Sequence, residues 1–202
     1  MHFWKTSAAL GLVALGAIGM RAIPKTGGPL ATHAPEGTAN DFDFIIGSWT
    51  FEVDSKNPAT PAHYNGHWTG ERTGKGTIIE DDFHVYNDSG KVVVSKGRTY
   101  QPGETVYLGI TYRAFDASTK RWTTAFVQPP AGAWTLGTAW RDGAVMQEAP
   151  SDSAKGSRAR FYNIGPNHFT WTLDVSRDGG KTWVTDFVHV EATRVGAAAA
   201  SR

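Results

Sequence analysis

The residues whose types and spacing best suit chemistry are Glu80, Asp82 and His84, which alternate along one predicted strand. Side chains two positions apart on a strand project to the same face, so these three would form one row. A histidine beside carboxylates could relay protons or hold a divalent metal ion. The opposite face of the strand is more apolar and carries Ile79, Asp81, Phe83 and Val85. That pattern favours a solvated outer row over a buried site.

Aromatic side chains suggest a second kind of chemistry, the binding of a flat apolar molecule. The 202 residues include eight Trp, six Tyr and ten Phe. We expect the lining of such a cavity to consist of Tyr112, Trp122, Trp134 and Trp171. Arg98 or His84 would then orient the ligand through a polar contact. The same aromatic residues could instead form a fully packed core, and the sequence leaves both readings open.

Other chemistries find little support in the sequence. There is no cysteine, which excludes disulfides, thiolate metal sites and a cysteine nucleophile. Lys and Arg number 20 against 19 Asp and Glu, without a basic stripe, so no nucleic-acid partner is expected. No nucleophile elbow or phosphate-binding loop is present. We therefore predict no catalytic residue, no metal and no cofactor, and lean against enzymatic activity.

Short strands separated by tight turns must position these residues. Apolar and polar residues alternate from Trp49 to Asp54 and from Val106 to Tyr112, the period of a half-buried strand. Strands are predicted at about 49–54, 63–72, 76–86, 91–100, 105–115, 120–127, 132–140, 144–149, 157–164, 168–176 and 182–193. This meander predicts an all-β fold, an antiparallel up-and-down β-barrel of about nine to eleven strands.

The N-terminus has the pattern of a secretory signal peptide. Lys5 precedes an uncharged stretch from Thr6 to Met20, which suits a secretory apolar core and is short for a membrane span. We divide the chain into a signal peptide (1–22), a flexible linker (23–40), a barrel domain (41–194) and a disordered tail (195–202). This predicts a secreted or periplasmic protein of a bacterial-type cell, with no membrane span in the mature chain. An uncleaved N-terminal anchor is the alternative.

The segment from Ser176 to Trp183 encodes a complete hairpin turn. Its Asp-Gly-Gly sequence supplies residues that adopt positive φ without steric cost. The spacing of Ser176, Asp178, Gly180 and Trp183 resembles the Asp-box of sialidase-like propellers. A single copy predicts a structural clip in the hairpin, because a motif of this kind does not by itself make a glycosidase.

Both ends of the chain resemble lipocalin-like, or calycin-type, β-barrels. Gly47 and Trp49 match the G-x-W opening of such barrels, and Arg194 matches the arginine that stacks over that tryptophan. The opening, the hairpin from Tyr112 to Trp122 and the closing Asp-box hairpin are together similar to an uncharacterised group of bacterial secreted proteins. The resemblance covers about residues 41–194 and implies a calycin-type barrel, but no reaction.

These patterns predict an exported barrel that binds a small hydrophobic or aromatic ligand. One alternative is a cavity enzyme of isomerase, cyclase or hydrolase type, with His84 as base beside Glu80 and Asp82. Glu80 and His84 facing the lumen would favour that alternative, and an outward position would argue strongly against it. Further alternatives are a haem-binding barrel of the nitrobindin kind, which would use His189, and a structural or partner-binding envelope protein. The oligomeric state is not predicted.

Overall fold

The computed structural model describes residues 37–58, 63–95, 98–129, 132, 134–151 and 156–196. The predicted signal peptide, most of the predicted linker and residues 197–202 of the predicted tail lie outside the described residues. The described part of the chain forms a closed ten-stranded antiparallel barrel and a separate two-stranded hairpin.

The barrel strands follow one another in chain order, and the first pairs with the last to close the sheet. The strands are β1 (Gly47–Ser55), β2 (His63–Thr73), β3 (Ile78–Tyr86), β4 (Val93–Ser95), β5 (Arg98–Tyr100), β6 (Thr105–Asp116), β7 (Arg121–Val127), β8 (Trp134–Asp142), β9 (Val145–Pro150), β10 (Ser157–Tyr162), β11 (His168–Val175) and β12 (Val184–Arg194). The prediction of an all-β, up-and-down antiparallel barrel is confirmed.

One predicted strand is wrong. The sequence predicts a continuous strand over 91–100, but β4 and β5 form a small hairpin outside the barrel sheet, and β6 pairs directly with β3. The buried side chain of Asn87 holds the base of this excursion, because its Nδ2 donates to the carbonyl oxygens of Lys91 and Tyr100 at 2.8 and 3.1 Å. The backbone N–H of Asn87 also donates to the carbonyl of Glu104 at 2.9 Å.

Alternation along each strand decides which side chains face the lumen. In β1, Trp49 and Phe51 are buried whereas Thr50 is exposed. Residues that are directly paired across two strands project to the same face of the sheet, so the pairing identifies the inner face of every strand in turn. The inner face then continues through Trp68, Phe83, Gly109, Thr111, Thr124, Phe126, Ala139, Glu148, Ala159, Phe161, Trp171 and Val190.

The segment before β1 closes one end of the barrel. A 3-10 turn at Asp43–Ile45 follows Phe42, and both Phe42 and Ile45 are fully buried. The Phe42 ring packs edge-on against Trp122 at 5.2 Å and against Phe161 at 5.7 Å between ring centroids. This end therefore has an apolar floor, whereas β4, β5 and the turn between β11 and β12 lie at the other end.

Arg194 ties the last strand to this floor. Its guanidinium lies 4.1 Å from the centroid of the Trp49 ring and donates to the carbonyl oxygens of Ile46 and Phe44 at 2.7 and 3.1 Å. Gly47 has a φ of 113°, and a Cβ at this position would strike Arg194. Glycine is therefore required at the point where the chain enters β1.

The turn between β11 and β12 is held by hydrogen bonds within its own residues. Oδ1 of Asp178 accepts the backbone N–H groups of Lys181 and Thr182 at 3.1 and 2.9 Å. The Ser176 hydroxyl donates to the same carboxylate and accepts the N–H of Gly180, both at 2.8 Å. These contacts account for the residue types of the turn without a ligand.

Candidate functional site

Glu80, Asp82 and His84 lie on the outer face of β3, because their neighbours Asp81 and Phe83 face the lumen. Nε2 of His84 lies 2.7 Å from the Thr105 hydroxyl, and the Tyr112 hydroxyl donates to Glu80 at 3.4 Å. Glu80 and His84 facing the lumen would favour the cavity enzyme. The row instead faces away from it.

The four aromatic residues predicted to line one cavity lie on two different faces. Trp122 is 1% exposed and packs at the floor, and Trp171 faces the lumen higher in the barrel. Tyr112 and Trp134 are on the outer face, with ring centroids 6.1 Å apart, and Trp134 is 59% exposed. Trp122 and Trp171 therefore share the inner face, and Tyr112 and Trp134 share the outer one. The reason is strand phase, because Arg113 takes the inward position next to Tyr112.

The predicted polar anchors also lie away from the lumen. Arg98 belongs to β5, pairs with Glu104 at 2.9 Å and stacks 4.7 Å over the ring of Tyr100. The hydrogen bond to Glu104 raises the pKa of Arg98. His189, the residue considered for haem, faces outward on β12 with its Nε2 2.7 Å from Glu191.

A buried ionic cluster inside the barrel was not identified from the sequence. It consists of Asp81 on β3, Arg113 on β6 and Glu148 on β9, and we call it the lumen cluster. Nη1 of Arg113 pairs with Oδ2 of Asp81, and Nη2 lies 3.3 Å from Oε2 of Glu148. The other oxygen of Asp81 accepts the indole N–H of Trp68 at 2.7 Å.

The charge of Arg113 is enclosed on every side. The guanidinium lies 4.8 Å from the ring centroid of Phe42 and 5.7 Å from that of Phe161, so it rests on the floor. Burial lowers the pKa of Arg113, and Glu148 opposes that effect; an arginine remains protonated in such a setting. Its Nε and the indole N–H of Trp122 have no hydrogen-bond partner among the described residues.

Aromatic side chains rise from this floor toward the other end of the barrel. We call Phe83, Tyr107, Phe126 and Trp171 the aromatic wall. All four face the lumen, yet none is fully buried. The Phe83 ring lies 5.9 Å from Tyr107 and 6.0 Å from Trp171 between centroids. Each of the four therefore keeps some exposed surface on the inner face, and we call the part of the lumen that they line the cup.

Glycine at position 109 lets two members of the aromatic wall lie close to the sheet. A Cβ on Gly109 would lie 2.6 Å from Cε2 of Phe126 and 3.1 Å from the Tyr107 hydroxyl. Burial raises the pKa of Tyr107 above its ordinary value, which keeps the phenol neutral. The backbone approach at Gly109 thus helps to set the width of the cup.

The β8–β10 side of the lumen carries small residues instead. Ala139 and Ala159 are the direct cross-strand neighbours of Glu148. The Glu148 side chain is 18% exposed, whereas those of Arg113 and Asp81 are 2% and 0% exposed. Within the lumen cluster, Glu148 is therefore the charge that keeps the most exposed surface.

Sequence reasoning missed Arg113 because an arginine on a strand is expected to extend outward to solvent. One signal was available. Asp81 lies among Ile79, Phe83 and Val85 on the apolar face of its strand. A carboxylate in that position requires a buried partner, and arginine is the common one.

A groove of about 310 Å³ lies beside β1, β2 and β12 on the outside of the barrel, next to Glu52 and Glu191. Asp54 is paired across the sheet with both His63 and His189, and Nδ1 of His63 lies 2.5 Å from Oδ1 of Asp54. In the described part of the chain, no three His, Asp or Glu side chains are placed to share a metal ion.

Comparison with known proteins adds no family to this picture. No protein-family model matches the chain, and no curated protein was found to be similar to it. No helix among the described residues is long and apolar enough to cross a membrane.

Proposed function

We propose that the protein is an exported, lipocalin-like carrier whose lumen binds a small hydrophobic or aromatic molecule. The observation that carries the proposal is the partial exposure of the aromatic wall, although its four side chains face the inside of a closed barrel. Apolar surface that is left exposed inside a cup is available to a ligand, which would displace water from it.

The floor supports this function because it prevents the ligand from passing through the barrel. Phe42, Ile45 and Trp122 are almost completely buried and close the end next to β1. A ligand would then enter from the end that carries β4 and β5. A ten-stranded barrel is wide enough to hold a small molecule above such a floor.

Two kinds of side chain would bind the ligand. Trp171, Phe83 and Tyr107 offer ring faces and edges, which favour a flat partner. Glu148 supplies a polar contact at the base, so the cup combines an apolar lining with few polar groups, as small-molecule sites commonly do. Trp171 is the member of the sequence-based set that keeps a place in the lining, and Trp122 contributes to the floor.

The test is to measure the native mass of the purified protein before and after a denaturing wash, and to titrate the washed protein with neutral 1-naphthylmethanol by calorimetry. We expect either a co-purifying small molecule or saturable binding of the probe. Trp171→Ala should weaken probe binding about tenfold or more, whereas Trp134→Ala, a change of the same size on the outer face, should leave it unchanged. Equal loss in both variants, or no saturable binding, would contradict the proposal.

A further inference from the structure

We infer that the cup selects an aromatic ligand that carries a positive charge, an aromatic amine, and that Glu148 is the residue that binds the charged group. This inference rests on the proposed function. It adds a chemical class to the ligand and a specificity-determining role to one residue.

The first step is the balance of charge inside the barrel. Two carboxylates, Asp81 and Glu148, share one guanidinium, that of Arg113. With the carboxylates ionised, the lumen cluster has an excess of negative charge. Charges in a poorly hydrated interior interact more strongly than in water, so an entering cation is favoured and an entering anion is opposed.

The second step excludes Arg113 as the anchor for an acidic ligand. Its side chain is 2% exposed, and both of its Nη atoms already face carboxylates. The guanidinium also lies against the ring of Phe42, on the side of the floor. A ligand carboxylate could pair with the two Nη atoms only after displacing Asp81 or Glu148.

The third step is the number of hydrogen bonds that the carboxylate of Glu148 already accepts. Among the described residues its single partner is Arg113, at 3.3 Å, which is a long contact for a charged pair. Its cross-strand neighbours, Ala139 and Ala159, are too small to cover it. The carboxylate can therefore accept a second, charge-assisted hydrogen bond from a molecule in the cup.

The fourth step is the presence of aromatic rings on the same inner face as this carboxylate. Trp171 and Phe83 face the same lumen, and their ring faces attract cations as well as apolar groups. A molecule with a flat ring and an ammonium group matches both features of the cup.

The experiment compares three probes of similar shape on the intact protein. They are 1-naphthylmethylamine, which is a cation at neutral pH, neutral 1-naphthylmethanol and the anion 1-naphthoate. We expect the amine to bind about tenfold more tightly than the alcohol, the gain of one charge-assisted hydrogen bond, and the naphthoate to bind most weakly. Equal affinities, or tightest binding of naphthoate, would overturn the inference and leave the proposed function standing. Failure of all three probes to bind would overturn both.

A pair of variants assigns the preference to one residue. Glu148→Gln should bring the affinities for the amine and the alcohol within about twofold of each other, because the amide cannot pair with a cation. Glu80→Gln removes a carboxylate from the outer face and should preserve the preference. A preference that survives in Glu148→Gln would show that Glu148 does not determine it. If Glu148→Gln does not fold, the ranking of the three probes on the unchanged protein still decides the inference.

Discussion

Nη2 of Arg113 lies 3.3 Å from Oε2 of Glu148, and this ion pair spans the lumen from β6 to β9, across the width of two intervening strands. The pair links two parts of the barrel wall that are three strands apart, next to the Phe42 ring of the floor. It leaves Asp81 dependent on Arg113 and Trp68 alone among the described residues. Arg113 is therefore both a structural bridge and the element that positions the carboxylate of Glu148.

The first prediction concerns removal of this bridge. Arg113→Met should lower the free energy of unfolding by about 3–5 kcal/mol, because Asp81 would remain buried without a counter-charge. Urea denaturation followed by circular dichroism measures the change. Arg98→Met, at an exposed position, should have almost no effect. The double variant Arg113→Met with Asp81→Asn should recover part of the loss. Absence of recovery would mean that packing of the arginine stem, and not charge, is the source of the stability.

The all-β meander could be predicted from the sequence because each strand and each turn is encoded by neighbouring residues. Alternation of period two and short turn sequences identify strands one at a time, and a meander of such strands has few topologies available. The segment at 91–100 shows the limit of that argument. Its residues do alternate, yet alternation does not say which sheet a strand joins. In the structure the side chain of Asn87 binds the carbonyl oxygens of Lys91 and Tyr100, at the two ends of a segment that lies outside the barrel sheet.

The lumen site could be predicted only in part. Whether a side chain points into the lumen depends on how its strand is paired with strands that are distant in the sequence. Of the residues expected to line the cavity, Trp171 faces inward, whereas Tyr112 and Trp134 face outward in the same sheet. A shift of one residue exchanges the two faces, and composition alone does not resolve it when both faces carry aromatic residues. The contact of Arg113 with Glu148 joins residues 35 positions apart in the chain, beyond the reach of any local pattern.

The second prediction tests whether the cup is open. Ala159→Leu places a larger side chain on the inner face next to Glu148. If space is available there, the free energy of unfolding of the variant should stay within about 1 kcal/mol of that of the unchanged protein. The naphthyl probes should no longer bind, because the leucine side chain would occupy their place. A filled lumen would instead make the substitution cost about 1–3 kcal/mol through overpacking. Thermal unfolding and calorimetry on the same sample distinguish these outcomes, and Thr123→Leu on the exposed outer face of β7 is the matched control.

The third prediction concerns the floor. Arg194→Lys should lower the free energy of unfolding by about 1–3 kcal/mol. Lysine keeps the charge but cannot bond the carbonyl oxygens of Phe44 and Ile46 together while stacking on Trp49. Hydrogen exchange should also quicken at the indole N–H of Trp49, which donates to Ile45 at 3.0 Å. Unchanged exchange at that indole would show that the floor does not depend on the guanidinium.

The last prediction follows from the turn between β11 and β12, where hydrogen bonds hold the pKa of Asp178 at about 2, below its ordinary value of 3.8. The hydroxyl and the backbone N–H of Thr182 contribute most, and the Ser176 hydroxyl adds to them. Because the folded-state pKa is the lower one, the charged carboxylate stabilises the fold above pH 3.8. This contribution is lost as the pH falls toward about 2.

Two measurements check the behaviour of Asp178. A carbon-detected NMR titration should find its carboxyl group titrating near pH 2, well below an unperturbed aspartate. The difference in melting temperature between the unchanged protein and Asp178→Ala should then be largest at neutral pH and shrink as the solution is acidified through the same range. A melting difference that stays constant down to pH 2 would assign the effect of the substitution to lost packing, because a packing contribution does not titrate.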